Sequence, residues 1–390
     1  MENVVIAGIG QTAVAEHWNT SLRELGLYAM EAAMEDAAGL RPSALYVGNM
    51  LAGTLSHQTH LGALFADFAG LQGIEAAHIE ASGASGAMAL RMGALAVASK
   101  AVDSALVLGV EKLSDQVAGL VDAALAGSTD TDYEAEQGLT LTSQAAILAQ
   151  RYLHEYQPPE QALGGFPLTA HKNGVANPYA MFRRAVKPES YARAGMVASP
   201  LNMFDVAPNA DGAAAVLLTR RDLLPPKFPQ PLVEITGSSA VTDTLALHDR
   251  PNPLIFNAAR LSVERACREA GLMPKDADLF ELFDAYSIYA ALSLEAAGFA
   301  EAGQGWTLAQ NGAIQIEGQL PLSTMGGLKA RGFPGGATGV YQIVEAAQQL
   351  RGQAGDNQVP EAQTALVQSL GGPASTAVTH VLKAESGEAS

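Results

Sequence analysis

The sequence predicts an α/β fold built twice from the same order of strands and helices, and two correspondences carry that prediction. Residues 29–42 read AMEAAMEDAAGLRP and residues 261–274 read LSVERACREAGLMP. Both are helical patterns ending in Ala-Gly-Leu-x-Pro, with Gly39 and Gly271 placed as helix stops. Each runs into a strand candidate, 44–48 in the first case and 277–283 in the second. The second correspondence pairs GASGAMALRMGALAVAS (83–99) with GGATGVYQIVEAAQQLR (335–351). Both are glycine turns that launch amphipathic helices, followed by β-like segments at 104–109 and 364–369. A duplication that keeps its order places a site between the halves.

Taken in order, the chain opens on the strand candidate Met1–Gly8, which lacks the basic flank and apolar core of a signal segment. The first half then runs to residue 225, and the second spans 232–390. Residues about 115–200 have no counterpart in the second half. They hold polar helices and loops such as Ser128-Thr129-Asp130-Thr131-Asp132 and Asn177-Pro178, and read as an inserted lid. Pro225-Pro226-Lys227-Phe228-Pro229-Gln230-Pro231 is a stiff linker between the halves.

Composition bounds the function. With 390 residues, 48% hydrophobic and 16% charged, most of the chain should be packed rather than solvated. No apolar run reaches the ~18 residues of a membrane span. The net charge of −17 opposes nucleic-acid binding, which relies on basic patches. Cys267 is the only cysteine, which excludes an internal disulfide and a cysteine-based metal cluster; no metal site is expected, and the chain reads as cytoplasmic.

The most informative segment is His78-Ile79-Glu80-Ala81-Ser82-Gly83-Ala84-Ser85-Gly86, a tight turn of small residues opening an apolar helix. A helix start leaves N–H groups free with partial positive charge behind them, a geometry suited to an activated thiolate or a developing oxyanion.

With these residues in hand, the chain resembles the thiolase superfamily over nearly its whole length, above all the archaeal-type acetoacetyl-CoA thiolases and the sterol-carrier-protein-type thiolases. The resemblance rests on Leu45-Tyr46-Val47-Gly48-Asn49-Met50, Gly109-Val110-Glu111-Lys112, His171-Lys172-Asn173-Gly174 with Asn177-Pro178-Tyr179, and Asp211-Gly212-Ala213-Ala214-Ala215. Asp243–Arg250, Gly326-Gly327-Leu328-Lys329-Ala330-Arg331-Gly332 and Gly336-Ala337-Thr338-Gly339 complete it. It implies a five-layered αβαβα thiolase fold, a homodimer and a coenzyme A ester as ligand, with no cofactor required. It also implies a complex with an HMG-CoA synthase-like protein through an OB-fold bridging protein, and no membrane or nucleic-acid partner.

By the same resemblance, the nucleophilic cysteine of the family falls at Gly83. The histidine and cysteine of its His-Asp-Cys-Phe segment fall at Phe283 and Ala285, and the histidine of its Gly-His-Pro falls at Phe333. The late glycine turn reads Gln368-Ser369-Leu370-Gly371-Gly372, so its acid/base position is Ser369. No catalytic position of the family is intact, and cysteine-dependent thiolysis is expected to be absent. Lys329 and Arg331 are the candidate contacts for a coenzyme A phosphate, with a solvated surface role as the alternative. Gly371 and Gly372 join them as backbone donors.

Three residues are candidate substitutes. Ser82 could act as a nucleophile or bond its own backbone in the turn. Asp284 could serve as a desolvated base or cap backbone N–H groups, and Tyr286 could polarise a carbonyl or pack on the lid. Asp249–Arg250 reads as a structural ion pair. Two functions follow: a thiolase-fold subunit that binds acyl-CoA or a partner without thiolase chemistry, or a cysteine-free enzyme performing retro-aldol or decarboxylation chemistry on acyl-CoA. At a working site, Gly83→Ala or Tyr286→Phe is expected to stop turnover without changing stability.

Overall fold

The computed structural model describes residues 3–385. Nine strands form one sheet: β1 (Val4–Gln11), β2 (Ala44–Gly48), β3 (Glu75–Ile79), β4 (Ser104–Glu111), β5 (Gly212–Arg220), β6 (Val233–Thr242), β7 (Leu279–Glu281), β8 (Thr364–Gly371) and β9 (Thr376–Ala384). Their order is β3-β2-β4-β5-β1-β6-β9-β8-β7. Outward from the centre, β1-β5-β4-β2-β3 is matched by β6-β9-β8-β7, with the same alternation of antiparallel and parallel neighbours. A parallel bridge between Phe280 and Leu322 stands where β3 pairs with β2. The halves meet at a short antiparallel contact, Val5 with Glu234 and Ile6 with Val233.

The helices repeat as well. They are α1 (Leu22–Asp36), α2 (Leu61–Phe68), α3 (Ser85–Ala98), α4 (Ala118–Ala126), α5 (Leu141–Tyr156), α6 (Gly165–Gly174), α7 (Asn257–Ala270), α8 (Ser287–Ala296) and α9 (Thr338–Leu350). Helix α1 follows β1 as α7 follows β6, and α3 precedes β4 as α9 precedes β8. Helix α1 starts at a capping box in which Ser21 and Glu24 satisfy each other's backbone N–H groups. Helix α7 stops at Gly271, whose φ of +68° no β-carbon has to tolerate.

Helices α3 and α9 lie against each other and touch strands of both halves, while α1 and α7 cover the outer faces. The central pair can pack this closely because Gly86 and Gly339 face the opposing backbone: a β-carbon on Gly339 would lie 2.4 Å from the Ala87 nitrogen. Helix α3 is accordingly rich in small residues, with Ala87, Ala89, Leu90 and Ala94 buried. This is the twice-built mixed α/β architecture that the sequence predicts.

The segment read as a lid is more tightly integrated than that word implies. Leu148 and Tyr152 of α5 and Phe166 of α6 are buried in one apolar cluster with Phe280, Phe283 and Tyr289. Helix α5 turns this face inward because its apolar residues recur at helical spacing, and the Tyr152 hydroxyl hydrogen-bonds Glu295 at 2.6 Å. Among the described residues no helix is long and apolar enough to cross a membrane.

Candidate active site

The β3–α3 turn forms the centre of the site. Ser85 Oγ accepts the Ala81 N–H at 2.9 Å and donates to the Ser82 carbonyl at 2.6 Å, tying the turn to the first residue of α3. Glu80 accepts the Ser82 N–H, and Ser82 holds a φ of +53°, unusual for a residue with a side chain. Its hydroxyl accepts the Gly372 N–H at 3.2 Å. Ser82 is thus employed in joining two glycine turns, and the Gly372 donor nominated for a ligand is already occupied.

Gly83 follows, fully surrounded. A β-carbon there would lie 2.7 Å from the Leu370 carbonyl oxygen and 2.7 Å from Cζ of Phe283. The Phe283 ring stands in the space that any side chain at residue 83 would need. Phe283 in turn meets Phe333 edge to face, with centroids 5.7 Å apart and planes at 86°. The expectation that Gly83→Ala would leave stability unchanged is therefore corrected: a methyl group has no room here.

Around these rings lies a void of about 20 Å³ lined by Met50, Ser82, Gly83, Phe283, Tyr289 and Phe333. That is the scale of a single water molecule. Beyond Tyr286 and Phe333 it adjoins a wider cavity of about 160 Å³, whose walls include Asp122, Thr140, Thr142 and Asn209. Tyr286 stands between the two, and its hydroxyl lies 3.1 Å from Thr142 Oγ1 on α5. Burial pushes its phenol up to about 12.

Strand alternation removes two of the candidates from this centre. Phe283 and Ala285 face it, whereas Asp284 points to the other side, where its Oδ1 accepts the Leu328 N–H at 2.7 Å. Asp284 supports the Gly326–Gly327 turn, and a β-carbon on Gly327 would strike its carboxylate at 2.5 Å. Burial raises its pKa against the opposing pull of Lys329. Likewise Leu370 faces the void while Ser369 hydrogen-bonds Gln342, so Ser369 is not a site residue. Gly371 lies with its α-carbon against Ala81, its missing β-carbon only 2.6 Å from that carbonyl oxygen.

The two cations are corrected too. Arg331 is 0% exposed, its Nε 3.1 Å from Glu345 Oε1 and its guanidinium 5.0 Å from the centre of the Tyr341 ring. It cannot reach a phosphate in solvent. Lys329 is 1% exposed and donates to the Asp205 carbonyl at 2.8 Å, so neither a solvated surface role nor an exposed phosphate contact fits it. Arg250 does not pair with Asp249: it donates to the carbonyls of Thr244 and Pro373.

Sequence reasoning missed Tyr289. It is buried, meets Phe256 and Tyr286 edge to face, and its hydroxyl has no hydrogen-bond partner among the described residues. The i, i+3 spacing from Tyr286 at a helix start was the available signal. It also missed Glu111, whose buried carboxylate accepts from the N–H groups of Met50, Leu51 and Gly336 and from Asn49 Nδ2. This one side chain holds the loop after β2 to the glycine turn before α9, one from each half. Among the described residues no cluster of His, Cys, Asp and Glu could hold a metal ion.

Comparison with known proteins agrees with this architecture. Residues 4–222 match the family model "Thiolase, N-terminal domain", and residues 239–384 match "Thiolase C-terminal domain-like". The chain is 39% identical over 385 residues to an acetyl-CoA acetyltransferase of Methanothermobacter thermautotrophicus, covering 98% of this chain and 99% of the relative. It is 29% identical to the benzoylsuccinyl-CoA thiolase subunit BbsB of Thauera aromatica, covering 95% and 94%. Human sterol carrier protein 2 is 28% identical over 77% of this chain, which spans 57% of that protein. Among solved structures, the Ltp2-ChsH2(DUF35) aldolase superposes with a TM-score of 0.84 at 22% identity, covering 99% of this chain and 98% of that one. With both halves matched in order over a duplicated sheet, the chain belongs to the thiolase family.

Proposed function

We propose that this protein is a thiolase-fold subunit that binds acyl-CoA or a partner protein and does not perform cysteine-dependent acyl transfer. One observation carries the reading: the space beside Gly83 that a nucleophilic side chain would occupy is filled by Phe283 and the Leu370 carbonyl. Covalent acyl transfer needs a nucleophile and a base within hydrogen-bond reach of it. The first turn of α3 supplies neither, and the rings of Phe283 and Phe333 stand where the resemblance puts imidazoles. The apolar plug stabilises the junction of the two halves by burying aromatic area. A thioester could enter the cavity lined by Thr140, Thr142 and Asn209 and stop at Tyr286 and Phe333.

The subunit reading has support of a different kind. The acetyl-CoA acetyltransferase relative suggests CoA esters as the ligand class, and the aldolase structure bears the names of two proteins, Ltp2 and ChsH2(DUF35). A homodimer joined to an HMG-CoA synthase-like protein through an OB-fold bridging protein is the assembly we propose. The test is calorimetric titration with acetoacetyl-CoA beside a thiolysis assay. Binding near micromolar, about −8 kcal/mol, with no CoA-dependent cleavage supports the reading. Thiolysis above background overturns it.

A second reading, cysteine-free cleavage of a carbon–carbon bond in an acyl-CoA, is favoured by Tyr289, which lines the void beside Gly83 and whose hydroxyl has no hydrogen-bond partner among the described residues. It would donate a hydrogen bond to a developing enolate. Under that reading Tyr289→Phe abolishes turnover and leaves the affinity for the ester unchanged.

A further inference from the structure

A third cavity, wider than the two beside Gly83, adjoins the short hairpin formed by Met196–Ala198 and Leu201–Asn202. Its volume is about 460 Å³, within the roughly 300–1,000 Å³ usual for small-molecule sites. Phe182, Val186, Met203, Phe204 and Pro208 make its walls apolar. Phe182, Val197 and Met203 are 42%, 54% and 57% exposed, so its mouth presents uncovered apolar surface.

Two polar groups break this apolar lining from below. Lys329 is buried against it, and its amine hydrogen-bonds only the Asp205 carbonyl. No carboxylate stands within ion-pairing distance of that amine among the described residues; Asp205 and Asp284 act on it from farther away. His171 is 6% exposed and lines the same wall, packed edge to face on Phe204, with the backbone of Arg184 as a hydrogen-bond partner. Arg184 sits exposed at the rim. A buried cation without a counter-ion and an apolar chamber above it are two incomplete features of one place.

We propose that this cavity binds an apolar monocarboxylate, with the carboxylate on Lys329 and the alkyl or aryl body against Phe182, Met203 and Phe204. The cavity shares Val197, Val206 and Ala207 with the 160 Å³ cavity beside Tyr286 but reaches Lys329 instead of Gly83, and binding there needs no covalent step. A carboxylate supplies what Lys329 lacks: a counter-charge for the buried ammonium. Electrostatics favour an anion locally although the chain carries a net charge of −17, because a desolvated lysine acts at contact distance. Burial pulls the Lys329 amine down to about 8 and His171 to about 4, so near pH 7 the lysine is the charged partner and the histidine is neutral. Asp205, Asp284 and His171 are the titratable groups that act on this lysine, and Arg184 lines the rim of the same cavity.

The experiment is calorimetry on the full chain with octanoate, and with 1-octanol as its uncharged counterpart. Octanoate should bind more tightly than octanol at pH 7. Its affinity should fall about tenfold or more by pH 9.5, as the lysine loses its proton. Lys329→Met should reverse the preference between the two ligands. Met203→Trp, at an exposed wall position, should block both without touching the buried charges, which covers the case in which the lysine variant does not fold. Saturating acetoacetyl-CoA should leave octanoate binding intact. Equal affinity for octanoate and octanol, no binding of either, or displacement of octanoate by the CoA ester would each overturn the proposal. An apolar mouth that binds no small carboxylate would then be read as a protein-facing surface.

Discussion

Gly83→Cys restores the residue that a thiolase would carry, and its cost can be worked from the structure. The new β-carbon would sit 2.7 Å from Phe283 Cζ and from the Leu370 oxygen, against the ~3.5–4.0 Å of comfortable carbon contacts. The backbone at Gly83 is not in the left-handed region, so the penalty is steric alone. Leu370 belongs to β8, paired along its length with β9, and cannot retreat. Phe283 is held edge to face by Phe333. With two overlaps and one of them rigid, the substitution should cost about 3 kcal/mol, the upper end of overpacking.

The same geometry predicts coupling. Phe283→Ala alone should cost about 3–5 kcal/mol as a buried aromatic truncation. In the double variant the ring overlap disappears and the new thiol partly fills the cavity, so the total should fall about 1–2 kcal/mol short of the sum. Urea denaturation of the wild type, both single variants and the double variant measures this. Additivity within about 0.5 kcal/mol, or a Gly83→Cys variant as stable as wild type, would refute the claim that Phe283 occupies the place of a side chain at 83.

Other outcomes are expected. Tyr286→Phe should lower stability by about 1 kcal/mol through loss of the Thr142 hydrogen bond, read by urea denaturation, with acyl-CoA affinity unchanged in calorimetry. Glu111→Ala leaves four donors without their acceptor and should cost more than about 3 kcal/mol; retention of the wild-type midpoint would show that the clamp is dispensable. His380 is buried with Nε2 3.0 Å from the Ala87 carbonyl, and burial pulls its pKa from 6.5 to about 4. The unfolded chain therefore takes the proton first, and the stability His380 contributes above pH 6.5 is lost as pH falls from about 6.5 to about 4. The His380→Asn variant should lack that part of the acid loss, roughly 3 kcal/mol at most, when denaturation midpoints are compared at pH 7.5 and pH 4.5.

The architecture was legible because it is written in local patterns. The Ala-Gly-Leu-x-Pro repeats mark where two helices stop, and the glycine turns at 83 and 335 mark where two others begin. The strand candidates at 44–48, 104–109 and 364–369 follow from period and neighbours, and all three fall within strands of the sheet. The candidate at 277–283 shortened to Leu279–Glu281, because only one full strand and a single bridge at Leu322 are there to pair with it.

The composition of the central turn was also legible, since Gly83, Phe283 and Phe333 are read directly from the chain. What they do to one another was not. Only the tertiary structure brings a ring 200 residues away into the space beside Gly83, turns Asp284 and Ser369 away from the site by strand alternation, and buries Arg331 against Glu345. It alone joins Glu111 to both halves and, among the described residues, leaves the Tyr289 hydroxyl without a partner and the Lys329 ammonium without a counter-charge. Sequence spacing determines which side of an element a residue occupies, because helices and strands have fixed periods. Which elements those sides meet depends on long-range packing, and that is where the chemistry of this site is decided.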